Sequence, residues 1–126
     1  MKRVTGIGGI FFKAEHPTQL YLWYEKHLGI VRDPHAGGAM FRWQETGGAE
    51  GMTIWSLFPR DTKYFAPSGA PFMINYRVDD MGALLEALKV EGVQIDKHED
   101  TDYGRFAWIM DPEGNRIELW EPPKGK

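Results

Sequence analysis

The chain contains no cysteine, no long apolar run and no basic block, and each absence removes a class of function. Without cysteine there are no disulfides, zinc–thiolate sites or thiol nucleophiles. No apolar stretch approaches the roughly 20 residues that cross a bilayer, so no membrane partner is expected. A formal net charge of -3 without a basic cluster argues against nucleic acid as a partner. Met1-Lys2-Arg3 runs directly into Val4-Thr5-Gly6, unlike the basic-then-apolar opening of a secretory leader, so a cytoplasmic protein is expected. Aromatic residues, by contrast, are plentiful at 13%, with five tryptophans. In a chain of 126 residues, enough for one core, they call for a rich core or an aromatic cavity.

Read along its length, the chain states one pattern twice. Ile7–Lys13 is a Gly-rich strand, and its glycines suit close packing in a strand better than a phosphate loop. His16-Pro17 opens a helix whose Leu20, Trp23, Tyr24 and Leu28 share helical spacing, and Gly29 ends it. Strands are predicted at Ile30–His35, Ala39–Gln44 and Met52–Phe58, with Glu45–Gly51 as a hairpin tip. Pro59–Pro71 reads as a linker, in which Tyr64 and Phe65 belong to a lid or a simple tether. The second half repeats the order. Phe72–Val78 is a strand, Asp80 caps a helix with Met81, Leu84, Leu85 and Leu88 on one face, and Gly92 ends it. Strands at Val93–His98, Gly104–Met110 and Asn115–Glu121 follow. Gly29 and Gly92, His35 and His98, and Pro59 and Pro122 recur at one constant spacing, as an internal repeat requires. The expectation is a single α+β domain over 1–126: module one 1–58, linker 59–71, module two 72–126, each module βαβββ.

The most informative segment is the last hairpin, where two apolar strands flank Asp111-Pro112-Glu113-Gly114-Asn115. Its second strand sets Glu118 between Ile117 and Leu119, so Arg116, Glu118 and Trp120 face away from the apolar pair. Cross-strand pairing then places Trp108 opposite Glu118 and Met110 opposite Arg116.

The tandem repeat, Trp23-Tyr24-Glu25-Lys26-His27-Leu28-Gly29 and Asp111-Pro112-Glu113-Gly114-Asn115-Arg116-Ile117-Glu118 together resemble the vicinal oxygen chelate (glyoxalase/bleomycin-resistance/dioxygenase) superfamily. The resemblance implies a U-shaped sheet around a cleft, completed in a homodimer, and a divalent metal held by one side chain from the first and last strand of each module. Of the four metal positions only Glu118 carries a ligand type; the others fall on Trp55, Met73 and Gly9 (or Ile7). A hard divalent ion needs several oxygen or imidazole ligands, so no metal cofactor is predicted and glyoxalase I chemistry is disfavoured.

Alternation puts Phe11, Met73, Asn75 and Arg77 on the face of Glu118, with Trp43, Trp55, Trp108 and Arg116 as further ligand contacts. Glu118 is either a catalytic or ligand-contacting group or a structural carboxylate neutralised by Arg77 or Arg116. His35 and His98, equivalent in the repeat, are expected at exposed edges. Three functions stay open. One is metal-free binding of a small molecule in a dimeric cleft. Another is an enzyme on a small carbonyl or diol compound, with Glu118 as acid/base or anchor of an unusual metal. The last is an interaction module whose cleft is filled by its own aromatics.

Overall fold

The computed structural model describes residues 3–33, 35, 37–44, 48 and 50–123. Among them the order is β1 (Val4–Ala14), α1 (Pro17–Leu28), β2 (Ala39–Gln44), β3 (Glu50–Pro59), β4 (Phe72–Val78), α2 (Met81–Val90), β5 (Lys97–Thr101), β6 (Gly104–Met110) and β7 (Arg116–Glu121). One mixed sheet of seven strands holds them in the order β2-β3-β1-β4-β7-β6-β5. The first strands of the two modules, β1 and β4, run antiparallel at its centre. Each is flanked by the last strand of its own module in parallel, β3 beside β1 and β7 beside β4. The architecture is the glyoxalase/bleomycin-resistance one, with two βαβββ-like modules. No described helix is long and apolar enough to cross a membrane.

Both helices cover the same face of the sheet. Helix α2 packs Met81 and Leu84 on Val78, Ala107, Ile109 and Leu119. Helix α1 packs Tyr21 on Ala14 and Leu57, with Phe12, Leu20 and Trp55 around them. The start of α2 is fixed twice: Asp80 accepts the Ala83 N–H at 3.0 Å, and Glu121 from β7 accepts the Met81 N–H at 2.6 Å. A third cluster lies on the opposite face and comes partly from the linker. Phe65, wholly buried, sits with Met73 and Trp108 and is ringed by Phe11, Phe58 and Phe106. The linker therefore straps across the helix-free face and anchors there by a ring, a burial that contributes roughly 2–3 kcal/mol.

Several expectations are corrected. Among the described residues of the strand expected over 30–35, the pairing is one bridge, Asp33 with Gly38. The reason is local: Asp33 Oδ1 accepts the His35 N–H at 2.8 Å, and such an Asx turn bends the chain out of the extended form. The strand expected over 93–98 starts only at Lys97, because Val93 and Ile95 pack against the α2 cluster instead. In α1 the buried residue is Tyr21, while Trp23 (51%) and Leu28 (61%) are exposed. The expected tip at 45–51 falls largely outside the described residues. His35 and His98 are exposed.

The last hairpin forms in the expected register, Trp108 beside Glu118 and Met110 beside Arg116. Its turn explains why. Asp111 accepts the Asn115 N–H at 2.8 Å, the Glu113 N–H at 2.9 Å and the Asn115 side-chain amide at 2.9 Å. Gly114 takes φ 84, a conformation open to glycine at little cost. The backbone and side-chain hydrogen bonds from Asn115, opposed by some burial, hold the Asp111 carboxyl below the usual carboxylate range. That contribution is complete at neutral pH and disappears as pH falls through the lowered value, because the unfolded chain then binds the proton more readily. Urea midpoints measured from neutral pH down to about pH 2 should fall more steeply in the wild type than in Asp111→Asn below about pH 4. Parallel curves would show that the Asp111 charge does not hold the turn.

Candidate functional site

Ile117 and Leu119 face α2, so alternation turns the Glu118 carboxylate to the helix-free side, where only 2% of the residue is exposed. A buried carboxylate must find hydrogen-bond donors, and three neutral groups provide them. Asn75 Nδ2 donates to Oε1 at 2.6 Å, and Trp108 Nε1 donates to Oε2 at 2.9 Å. The Tyr64 hydroxyl also donates to Oε2. Asn75 and Trp108 are placed by register, as the direct neighbours of Glu118 on β4 and β6. Tyr64 is placed by the linker strap, its ring stacked on Phe58 at 5.6 Å and 9°. Burial, then the Glu118 charge and the hydrogen bond to it, push the Tyr64 phenol well above the usual tyrosine range. It is kept as a proton donor.

Next to this carboxylate opens a cavity of about 370 Å³, walled by Phe11, Phe58, Phe106 and Trp120, with Ser56, Asn75 and Glu118 among its polar groups. Phe106 stacks between the two tryptophans of its face, 6.1 Å and 15° from Trp108 and 6.4 Å and 19° from Trp120. Gly8 completes the wall. A Cβ there would stand 2.2 Å from Asn75 Oδ1 and 3.1 Å from Trp120 Cε3. Asn75 Oδ1 is buried with no hydrogen-bond partner among the described residues.

The residues named from sequence divide into three groups. Phe11, Asn75 and Glu118 line the cavity. Met73 and Trp108 lie on the same face but are buried with Phe65. Trp43, Arg77 and Arg116 are peripheral. Trp43 covers Gly6 and Gly51 and donates to Thr53 Oγ1 at 2.9 Å, and Arg77 lies 5.9 Å above its ring. Arg116 donates to the Tyr64 carbonyl at 2.6 Å and lies 5.4 Å from the Trp108 ring. The ion pairs formed by the described residues do not include Glu118, so neutral donors replace the expected arginine partner.

Trp55 is a correction. It faces α1, edge-on to Phe12, Tyr21 and Tyr24. The β1–β3 register pairs Phe11 with Ser56, so Ser56 faces the cleft, and a shift of one residue in a strand reverses the face. The site residues expected from sequence do not include Tyr64, Phe58, Phe106 or Trp120, although Tyr64 is read as part of a lid or tether and Trp120 as lying on the Glu118 face. Phe106 and Trp120 share the parity of Trp108 and Glu118, a signal that was available; Tyr64, in an aperiodic linker, carried none.

The resemblance drawn from the sequence implies a divalent metal at this position, and the donor set does not suit one. Glu118 has already accepted three hydrogen bonds, Asn75 turns its N–H toward the carboxylate, and the next positions along the same row of the sheet are Gly9 and Ile54. No group of three or more His, Cys, Asp or Glu that could hold a metal occurs among the described residues.

No protein-family model and no curated protein matches the chain by sequence. Solved structures match it over nearly its full length. A variant of methylmalonyl-CoA epimerase from Streptomyces coelicolor, in complex with 2-nitronate-propionyl-CoA, is 20% identical with a TM-score of 0.65, over 94% of this chain and 98% of that one. Methylmalonyl-CoA epimerase from Mycobacterium tuberculosis is 22% identical with a TM-score of 0.58, over 95% and 89%. A protein described as NAD-dependent benzaldehyde dehydrogenase from Legionella pneumophila is 14% identical with a TM-score of 0.58, over 91% and 98%. The chain therefore has the vicinal oxygen chelate fold, with an aromatic cleft and no metal-binding cluster among its described residues.

The raised Tyr64 value has a consequence at high pH. Above about pH 10 the unfolded chain releases the Tyr64 proton before the folded one does, so stability declines as pH rises there. Denaturant midpoints should drop between about pH 9 and about pH 11, and drop less in Tyr64→Phe. Identical slopes in the two proteins would show that Tyr64 titrates as a free phenol.

Proposed function

We propose that this protein is an acid–base enzyme acting on a small carbonyl compound, with Glu118 taking a proton from, and returning it to, the carbon beside the carbonyl. The carrying observation is the Glu118 carboxylate, buried without an ion-pair partner among the described residues and held by three neutral donors at the wall of an aromatic cavity. The donors fix its orientation, and they occupy three of the roughly four acceptor positions a carboxylate offers. Oε2 takes two of them, so the position left is on Oε1, on the side of Asn75. There a substrate C–H can meet it. The proton passes to Glu118, the electron pair moves onto the carbonyl oxygen as an enolate, and return of the proton to carbon completes an exchange or an inversion.

Tyr64 and Trp108 act as positioning residues in this reading, since they touch Glu118 rather than the cavity space. The aromatic wall lowers the local dielectric beside the buried carboxylate, which strengthens the electrostatic contacts made there. That epimerases are among the solved proteins of this fold supports the same class of chemistry. Binding without turnover is the second reading, favoured by the aromatic lining itself.

A panel of small aromatic and aliphatic ketones, aldehydes and thioesters, incubated with the protein in deuterium oxide, distinguishes the two. Proton NMR should show deuterium entering at the carbon beside the carbonyl of at least one member. Glu118→Gln should slow that exchange by about 10²–10⁴-fold, as expected for loss of a general base. Exchange at an undiminished rate in Glu118→Gln would remove Glu118 from the chemistry. Binding with no exchange across the panel would favour the second reading.

A further inference from the structure

The apolar groups of the two faces differ in kind. Beneath α2 the buried cluster is aliphatic, with Val78, Leu84, Ile109 and Leu119 beside Met81 and Ala107. The described lining residues of the cleft include five rings and one aliphatic side chain, Ile54. Packing alone does not demand that division, since either kind of side chain buries apolar area. The cavity of about 370 Å³ stands near the small end of the roughly 300–1,000 Å³ typical of small-molecule sites. That size suits one ring with a short arm.

Four of the five rings are packed in pairs. Phe11 lies 5.4 Å from Phe58, and Phe106 lies 6.4 Å from Trp120 with their planes 19° apart. The fifth, Tyr103, sits in the turn between β5 and β6 and lines the cavity, yet it is 78% exposed. Among the described residues it makes no ring contact. Its backbone is nevertheless fixed. The Tyr103 N–H donates to Thr101 Oγ1 at 3.0 Å, and the Tyr103 carbonyl accepts from Trp120 Nε1 at 2.9 Å. Gly104 lets the turn lie against that indole, because a Cβ there would stand 2.9 Å from Trp120 Nε1. Closing a hairpin needs no ring at this position, where glycine, asparagine or aspartate would serve. The turn thus holds an unpacked tyrosine at the cavity mouth, with a side chain free to rotate.

We infer that the cleft takes a carbonyl compound carrying a flat aromatic ring, and that Tyr103 sets this preference by closing its own ring over the bound one. The inference rests on the cleft being the ligand site of the reading above and narrows its substrate class. The substrate ring lies against Phe106 and Trp120, Tyr103 covers its outer side, and the carbonyl arm is directed to Glu118. Ring pairs with centroids about 4.5–7 Å apart gain affinity beyond the area they bury, which separates a planar ring from a saturated one of the same size.

Phenylacetone and cyclohexylacetone share one skeleton and differ in whether the ring is aromatic. The saturated compound is the more apolar, so a preference set by burial alone would favour it. Titrations followed by the indole N–H resonances should show phenylacetone binding at least about threefold more tightly, the scale of one or two ring pairs. Tyr103→Leu, which keeps apolar bulk and removes the ring, should bring the two affinities within about twofold, and Tyr103→Phe should keep the preference. Tyr103 is exposed and its hydrogen bonds come from its main chain, so both variants should fold, as circular dichroism checks. Equal or tighter binding of cyclohexylacetone by the wild type would overturn the aromatic class. A preference undiminished in Tyr103→Leu would overturn the role of Tyr103. Failure of both compounds to bind would overturn the inference together with the reading of the cleft. Deuterium exchange is a separate readout: a ring preference without exchange counts against the Glu118 chemistry alone, and exchange without a ring preference counts against this inference alone.

Discussion

A carboxylate cannot be taken out of water without donors, and the arrangement on the helix-free face follows from that constraint at Glu118. Its donors come from three parts of the chain that are distant in sequence. Asn75 lies on β4, Trp108 on β6 and Tyr64 in the linker between modules. Each needs a separate piece of the fold to be correct. The parallel β4–β7 register delivers Asn75, the Asp111 turn delivers Trp108, and the burial of Phe65 delivers Tyr64. Removing any one donor leaves the other two with a less satisfied carboxylate, at roughly 1–3 kcal/mol per buried group left unpaired. The site and the packing of this face are thus the same set of contacts.

The solved epimerases show how far a shared fold carries. They and this chain share an overall fold, at identities of 22% and below for those compared. What the fold fixes is a position: a mid-strand side chain on β7 pointing into a cleft. What the residues decide is the chemistry at that position. Here the carboxylate's partners are an amide and an indole from neighbouring strands and a phenol from the linker, groups that suit hydrogen bonding to a carboxylate and not ligation of a hard ion.

Much of the fold was legible because it depends on short-range signals. The Asp111–Asn115 turn, the Asp80 cap and the strand alternation around Glu118 are all local, and the structure forms them as read. The errors arose where a distant contact outweighed a local pattern. Trp55 was assigned by repeat spacing, and a register offset of one residue sent it to the other face. Residues 30–35 have strand-forming composition, yet the Asp33 side chain turned them. Tyr64 lay beyond any periodicity argument. Its place depends on the neighbouring Phe65 finding a hole between Met73 and Trp108, and that hole exists only after both modules have assembled.

The strap has one more consequence. Two similar modules back to back would give a cleft with matching ends, in which a small molecule has two equivalent ways to lie. The linker crosses only one way and, packed against both modules, gives its Tyr64 hydroxyl to module two, where Glu118 stands. The corresponding place beside Phe11 holds Ser56, whose hydroxyl is turned to the Gly37 carbonyl at 2.7 Å. A near-symmetric scaffold thereby acquires a head and a tail, and a chiral guest meets a polar end and an apolar end in a single sense.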